Sequence, residues 1–123
     1  MGQSVSTAKI VVLGLTFKEN CLDTRNSKVF DLIRELREFG GCIEVHDPLV
    51  TSTPETINLG CETRKWNDLK PADVLICAVP HDFYKEMPID QLLLKLKHGG
   101  LFVDIKMAFP RDRLAKVGSV LRL

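Results

Sequence analysis

The sequence has no apolar run close to the ~20 residues that a membrane-spanning helix requires. It also has no excess of charge, because its 17 lysines and arginines are matched by 16 aspartates and glutamates. A chain this close to neutrality lacks the basic surface that attracts nucleic acid or an anionic membrane. We therefore expect neither nucleic acid nor a membrane as a partner.

The four cysteines are Cys21, Cys42, Cys61 and Cys77, and they form no Cys-x-x-Cys pair. No cysteine–histidine cluster has the spacing of metal ligands, so no metal is expected. Cys42 and Cys77 lie inside apolar strand patterns and are predicted to be small core residues. Four reduced thiols indicate a cytoplasmic protein.

Glycine is scarce where a nucleotide-binding fold needs it most. After the first apolar run the sequence reads Gly14-Leu15-Thr16-Phe17-Lys18-Glu19, with one glycine in place of the G-x-G-x-x-G pattern. Backbone amides cannot wrap a pyrophosphate closely without those glycines, so no self-contained NAD site is expected. No Gly-Lys-Ser/Thr follows a glycine-rich turn, which argues against a Walker phosphate loop.

What the sequence does contain is an alternation of strand and helix patterns. The run AKIVVLGL is typical of a strand buried on both faces, and CIEVHDP, DVLICAV and LFVDI follow as further strands. Helical spacing of apolar residues runs from Ser27 to Phe39, with Asn26 or Ser27 as the cap and Gly40-Gly41 at the end.

A second helix is predicted after Pro88, with Ile89, Leu92, Leu93 and Leu96 as its apolar stripe and Gly99-Gly100 at its end. Weaker signals predict a helical turn after Pro54, a short strand near residues 61–63, a turn or helix at residues 66–73, a short helix capped by Asp82, a last helical turn at residues 112–116 and a final strand, SVLRL.

Strands alternating with helices indicate βαβ units with right-handed crossovers. We expect one domain over residues 1–123, with a three-layer, doubly wound, mostly parallel sheet of the Rossmann-like type. Ligands of such folds bind beyond the carboxyl ends of the strands. That rule selects the loop after the first strand, Asp47 after the second, the Pro80-His81-Asp82 segment and Lys106.

The loop after the first strand has about a dozen residues, whereas connections in α/β units usually have two to six. Lys18 could bind a phosphate or carboxylate as a point charge, and Arg25 could do so in a bidentate manner. If Lys106 converges with Lys18, the two lysines would suit a diphosphate. The alternatives are that Asp23 pairs with Arg25 and Glu19 with Lys18, and that Lys106 is simply solvated.

The remaining polar residues at strand ends favour structural roles. We interpret His46 and His81 as packing or hydrogen-bonding residues. Asp47 occupies the place of a ribose-binding acid, but without the glycine pattern a turn or cap role before Pro48 is favoured. Cys21 has no base predicted nearby, so we assign no catalytic residue.

The segment GLTFKENCLDTRNSKVFDLIREL resembles the start of the C-terminal, UDP-binding domain of the UDP-glucose/GDP-mannose dehydrogenases. The matching motifs are Gly14, Phe17-Lys18 and Asp23-Thr24-Arg25, followed in the same order by VHDP, ADVLICAVPHDFY and LFVDIK. The resemblance covers nearly the whole chain. FKEN together with DIK is most similar to the branch that acts on UDP-N-acetylhexosamines for surface polysaccharides.

The resemblance implies an enzyme that oxidises the C6 hydroxyl of a nucleotide sugar to a carboxylate, with two hydride transfers to NAD. It implies that Phe17, Lys18 and Lys106 contact the UDP-sugar and that Arg25 reaches across an interdomain cleft towards NAD. Many members have arginine at the place of Lys106, so a bidentate contact is lost here. NAD would be held mainly by an N-terminal domain, and the nucleophilic cysteine belongs to a central region, so Cys21 does not inherit that role.

We therefore expect a domain excised from a longer dehydrogenase, which folds alone but does not catalyse. The full-length protein is expected to be a homodimer through its central region, and this chain a monomer or weak dimer. Two other functions stay open: a stand-alone, receiver-like signalling module and a regulatory domain that binds UDP without a catalytic partner. A receiver-like module would need an acidic cluster at the strand ends, which this sequence lacks.

Overall fold

The computed structural model describes residues 8–25, 27–38, 40–115 and 117–122. Predicted features at Asn26, Phe39 and Lys116 lie outside these residues. The strands are β1 Lys9–Leu13, β2 Cys42–His46, β3 Glu62–Thr63, β4 Ala72–Cys77, β5 Leu96–Asp104 and β6 Ser119–Arg122. The helices are α1 Val29–Glu38, α2 Pro54–Leu59, α3 Asp82–Glu86 and α4 Ile89–Leu93, with a 3₁₀ helix at Trp66–Asp68.

All six strands are parallel and lie in the order β3-β2-β1-β4-β5-β6. From β1 the chain proceeds outwards through β2 and β3, and it then returns to start the other half of the sheet at β4. The two halves therefore separate between β1 and β4, which is the switch point where doubly wound folds bind ligands. The predicted fold class is confirmed.

A hydrophobic core lies on each face of the sheet, which gives three layers. On one face, α1 packs Val29, Phe30 and Ile33 against strand residues such as Ile10 and Val12. The opposite core contains Tyr84, Leu92, Leu75, Phe102 and Phe109. Because β1 is covered on both sides, its sequence is a continuous apolar run and not an alternating one. None of the helices in the described part of the chain is long and apolar enough to cross a membrane.

Local signals place the ends of α1 and α2. The Ser27 hydroxyl oxygen accepts a hydrogen bond from the Val29 amide at 3.3 Å, next to the start of α1. Gly40, with φ of 85°, follows the helix, and its amide donates to the Arg37 carbonyl at 2.9 Å. In α2, Thr53 and Thr56 form a reciprocal capping box around Pro54.

The segment around Gly99-Gly100 differs from the prediction of one helix running through Leu96. α4 ends at Leu93, β5 begins at Leu96, and the two glycines lie inside that strand. The Ala72 amide donates to the Lys95 carbonyl at 2.8 Å, which draws the chain into the sheet directly after α4. Pairing with β4 is irregular here and Gly99 has φ of 81°, a conformation that glycine adopts without strain.

Two smaller predictions, on Cys42 and Asp82, are also wrong. Cys42 is exposed, because it is the first residue of β2 at the amino edge of the sheet, whereas Cys77 is buried as predicted. Asp82 is the first residue of α3, and the cap position belongs to His81, which makes no side-chain capping bond. Residues 111–115 form successive turns closed by hydrogen bonds between residues three apart, which agrees with the predicted last helical turn.

Gly14 allows β1 to end in close contact with the residues after β4. It has φ of 97°, and an added Cβ would lie 2.6 Å from the Val79 Cβ and 2.8 Å from the Val79 carbonyl oxygen. We expect Gly14→Ala to lower the free energy of unfolding by about 2 kcal/mol or more, since strain and overlap combine. Urea unfolding measures this effect.

Gly118→Ala is the matched control. A Cβ at Gly118 meets no atom within 4 Å, and this glycine does not have a positive φ in the left-handed range. We expect the change in unfolding free energy to stay within about 0.5 kcal/mol. Equal losses for Gly14→Ala and Gly118→Ala would contradict the close-packing role of Gly14.

Candidate functional site

A cleft of about 460 Å³ opens at the carboxyl edge of the sheet, beside the switch point between β1 and β4. It is formed by the loop after β1, the start of α1 and the residues that follow β4 and β5. Its lining residues are Thr16, Phe17, Lys18, Ser27, Lys28, Val29, Leu32, Ala78, Val79, Ile105 and Lys106. Three residues predicted from the sequence, Phe17, Lys18 and Lys106, thus line one cleft.

The charge in this cleft is all of one sign. Its lining includes Lys18, Lys28 and Lys106, and no acidic residue is among the described residues that line it. The start of α1 adds the partial positive charge of a helix N-terminus. The rest of the lining is largely apolar, and 57% of Phe17 is exposed. The cleft therefore suits an anion attached to a group with apolar surface.

Lys28 is a cleft residue that the sequence analysis did not select. It is exposed, but it also lines the cleft because it lies just before α1. Its position in the sequence could have indicated this role, because Lys28 lies between a loop at the carboxyl edge of the sheet and the N-terminus of α1. Thr16 and Ser27 also line the cleft. The sequence does not identify them as cleft residues, because small polar residues carry no distinctive pattern.

The buried side chain of Asp47 joins the ends of three strands. Its Oδ2 accepts hydrogen bonds from the Leu15 amide at 2.7 Å and from His81 Nε2 at 2.9 Å. Its Oδ1 accepts from the Leu49 and Val50 amides at 2.8 and 3.1 Å. The turn role predicted for Asp47 is confirmed, and the same carboxylate also fixes the start of the lysine-bearing loop.

Asp47 is an ionised carboxylate in a buried position. Burial raises its pKa, but the hydrogen bonds from His81 and from the Leu15 and Leu49 amides outweigh burial, so the pKa of Asp47 is lowered overall. The carboxylate therefore keeps all four hydrogen bonds at neutral pH.

His81 continues this network into the loop. Its Nδ1 accepts a hydrogen bond from the Asn20 amide at 2.8 Å, so its proton lies on Nε2 and is donated to Asp47. The Thr16 hydroxyl lies 3.1 Å from the same Nε2 and donates to the Lys18 carbonyl at 2.8 Å. Lys18 is therefore held between two residues that are both anchored to His81.

The turn that carries Lys106 is anchored in a similar way. Buried Asp104, the last residue of β5, accepts hydrogen bonds from the Ala108 and Phe109 amides, each at 3.0 Å. The Arg122 guanidinium lies 3.7 Å from Asp104 and donates to the Phe109 carbonyl at 3.1 Å. A carboxylate at a strand end thus positions each of the two predicted lysines.

Both lysine-bearing turns contain an uncommon backbone conformation. In the described part of the chain, the two non-glycine residues with positive φ are Asn20 at 60° and Met107 at 52°. Asn20 lies two residues after Lys18, and Met107 directly follows Lys106. Positive φ at non-glycine residues is concentrated at functional sites, where the surrounding contacts hold the conformation in place.

Arg25 does not line the cleft. Its guanidinium Nε lies 3.1 Å from Asp23 Oδ1, and 86% of the Arg25 side chain is exposed. The alternative that Asp23 pairs with Arg25 is therefore correct, whereas no ion pair joins Lys18 to Glu19 in the described residues. The contact between Arg25 and NAD stays a prediction.

The chain's own residues do not fit NAD at the place where a doubly wound domain usually binds it. Both oxygens of Asp47 are occupied by protein donors, so none is free for a ribose hydroxyl. The turn after β1 contains one glycine, Gly14, which is packed against Val79.

The sheet order and the lysine-lined cleft together define a class, a doubly wound α/β domain with a lysine-lined cleft at its switch point. Residues 11–111 match the family model described as UDP-glucose/GDP-mannose dehydrogenase family, UDP binding domain. The chain therefore belongs to this family and corresponds to its UDP-binding domain. This confirms the resemblance found in the sequence.

Individual relatives agree with the family. Protein CapL of Staphylococcus aureus is 40% identical over 113 residues, which cover 92% of this chain and 26% of CapL. UDP-N-acetyl-D-glucosamine 6-dehydrogenase of Pseudomonas aeruginosa is 33% identical over 109 residues, which cover 89% of this chain and 26% of that enzyme. The chain thus spans about a quarter of the length of these relatives.

A solved structure confirms the fold. NDP-N-acetyl-D-galactosaminuronic acid dehydrogenase from Methanosarcina mazei Go1 superposes with a TM-score of 0.79 and 21% identity. The match covers 99% of this chain and 25% of that protein. Similarity at this level of identity establishes the architecture and carries no information on the ligand.

His46, beside Asp47, makes stability depend on pH. Burial lowers the pKa of His46 to about 4, although the charge of Asp47 acts in the opposite direction. The unfolded chain binds this proton near the ordinary value of about 6.5, whereas the native state does not. The unfolding free energy should therefore fall by up to about 3 kcal/mol as the pH drops from about 6.5 to about 4.

Urea unfolding at several pH values measures this effect. His46→Gln removes the titrating group and should flatten the pH dependence in that window, whatever its effect on absolute stability. His98→Gln, at an exposed histidine, should keep the wild-type slope. A His46→Gln variant with the same slope as wild type would show that other groups cause the loss.

Proposed function

We propose that the lysine-lined cleft binds the diphosphate and sugar of a UDP-N-acetylhexosamine, and that the chain is the nucleotide-sugar half of an NAD-dependent UDP-sugar 6-dehydrogenase. The observation that carries this proposal is that Lys18 and Lys106 line one cleft, although they follow different strands. Family membership supports the UDP part, and the relatives named as UDP-N-acetyl-D-glucosamine 6-dehydrogenases favour the hexosamine.

The proposed roles follow from the chemistry of each side chain. Lys18 and Lys106 neutralise the two charges of the diphosphate, and Lys28 adds a third cation beside the N-terminus of α1. The exposed ring of Phe17 packs against the uracil or the sugar. A lysine at position 106 acts as a point charge, so it tolerates more than one orientation of the phosphate.

In the proposed reaction of the full-length enzyme, the sugar's C6 hydroxyl becomes a carboxylate while two hydrides pass to NAD, which yields a uronate precursor for polysaccharide. This chain's contribution is to hold the nucleotide sugar in one orientation. Arg25, exposed at the edge of the loop, is proposed to reach towards NAD held elsewhere in the full-length protein. By itself the chain binds and does not oxidise.

The geometry disfavours a receiver-like module. Such a module needs carboxylate oxygens that are free to bind a divalent metal. Asp47 and Asp104 lie at strand ends, but both oxygens of each accept hydrogen bonds from protein donors. A regulatory UDP-binding domain would use the same cleft, and activity of the full-length protein separates it from the dehydrogenase.

Calorimetry with UDP tests the proposed contacts. We expect Lys18→Ala and Lys106→Ala each to weaken binding about tenfold, since a hydrogen bond to a charged group contributes about 1.5–3 kcal/mol. Lys28→Ala should have a smaller effect, about threefold, because its exposed ammonium is better solvated. Lys70→Ala, which changes an exposed lysine near the amino end of β4, should bind as wild type does.

Two outcomes would contradict the proposal. If UDP bound equally well to wild type, Lys18→Ala and Lys106→Ala, the cleft would not be the diphosphate site. If the purified chain reduced NAD in the presence of UDP-N-acetylglucosamine, the chain would be catalytic by itself. An absorbance assay for NADH checks the second point on the same preparation.

A further inference from the structure

A second cavity of about 440 Å³ opens beyond the carboxyl ends of β2 and β3. It shares no lining residue with the lysine-lined cleft. We call it the aromatic crevice and define it by His46, Trp66, Phe83 and the rim residue Lys65. The proposed diphosphate contacts do not use these residues.

The walls of the aromatic crevice are packed rings. The ring centroids of Trp66 and Phe83 lie 5.6 Å apart at an interplanar angle of 78°, and those of His46 and Phe83 lie 5.5 Å apart. Phe83 is nevertheless 40% exposed. Rings fixed by edge-to-face contacts present flat apolar surfaces on which another ring can stack at little entropic cost.

His46 supplies an acceptor that lacks a partner. The Tyr84 hydroxyl donates to the His46 carbonyl at 3.0 Å, so its oxygen is left to accept the His46 Nδ1 proton at 2.8 Å. Nε2 therefore carries a lone pair. No hydrogen bond joins Nε2 to a described residue, and Nε2 is not among the fully buried atoms without a partner, so it is open to the crevice. An acceptor that is open to water can exchange water for the N–H donor of a ligand.

The charge at the rim narrows the class of ligand. Arg64 is paired with Glu62 and with Glu44, the latter at 3.1 Å, so its charge is compensated. Lys65 forms no ion pair with the described residues. The ionised carboxylate of Asp47 also lines the crevice and offsets the charge of Lys65. The lining therefore has no clear net charge and favours an uncharged ligand.

We propose that the aromatic crevice binds a planar, uncharged heteroaromatic ring, which stacks on Phe83 and Trp66 and donates an N–H hydrogen bond to His46 Nε2. An aliphatic ligand would leave Nε2 unpaired and would gain less from the flat walls. A charged ring would meet a group of like sign, Lys65 for a cation and Asp47 for an anion. This inference does not rest on the proposed function, because it uses a separate cavity.

A matched pair of probes tests the hydrogen bond directly. Benzimidazole has a ring N–H, and 1-methylbenzimidazole lacks it while keeping the stacking surface. Trp66 is the chain's one tryptophan, so its indole N–H gives a single side-chain signal in a ¹H–¹⁵N spectrum. Benzimidazole should shift this signal with saturation, and 1-methylbenzimidazole should bind at least about fivefold more weakly.

Phe83→Ala should weaken benzimidazole binding at least about threefold, and this variant folds because Phe83 is partly exposed. Leu94→Ala, at an exposed leucine elsewhere, is the control and should change nothing.

Equal affinity for the two probes would overturn the assigned hydrogen bond. Unchanged benzimidazole binding in Phe83→Ala, or no shift of the Trp66 signal up to about 10 mM probe, would overturn the site itself. A Trp66 signal that moves with protein concentration when no probe is present would show that a second copy of the chain covers the crevice, which also contradicts the proposal.

Discussion

The buried carboxylate of Asp47 is the contact on which the candidate site depends. It follows β2, and its oxygens bind the Leu15 amide after β1 and His81 after β4. Loops of about a dozen residues lose much conformational entropy when they are ordered, so something must hold them. Here the ionised Asp47 and the neutral His81 hold the base of the loop, and the hydrogen bonds of Thr16 and Asn20 to His81 restrict the backbone at Lys18.

This constraint explains why the glycine pattern is missing. A glycine-rich turn binds phosphate with backbone amides, so it must approach the ligand closely. In this chain the Leu15 amide is already used by Asp47 and the Asn20 amide by His81. The loop can therefore offer side chains, and it does so from a fixed base. The one glycine that remains, Gly14, is required by packing against Val79.

The parts of the fold that follow from local sequence were predictable. The apolar run of β1 and the helical spacing of α1 each have a period that matches one structure. The pair between Asp23 and Arg25 is also local, because the two residues are two positions apart, and the sequence offers it as an alternative. In contrast, the boundary between α4 and β5 depends on the bond from Ala72 to Lys95, which no periodicity reveals.

The site was only partly predictable for the same reason. The rule that ligands bind at the carboxyl ends of strands is enough to select Lys18 and Lys106 from the sequence alone. The pairing of Asp47 with His81 joins residues 34 positions apart. This pairing forms because β1 lies between β2 and β4. The order of strands in a sheet cannot be read from the periodicity of the sequence, so the pairing was not predictable. The hydrogen bond proposed at His46 Nε2 likewise depends on a tautomer that Tyr84 fixes.

The central claim is that Asp47 positions Lys18, and a thermodynamic cycle tests it most directly. UDP affinity is measured for Asp47→Asn, Lys18→Ala, Lys106→Ala and both double variants, on samples shown to be folded. The account predicts that Asp47→Asn weakens binding in wild type, adds little in the Lys18→Ala background and adds fully in the Lys106→Ala background. Equal, additive losses in both backgrounds, or an Asp47→Asn variant that binds UDP as wild type does, would contradict it.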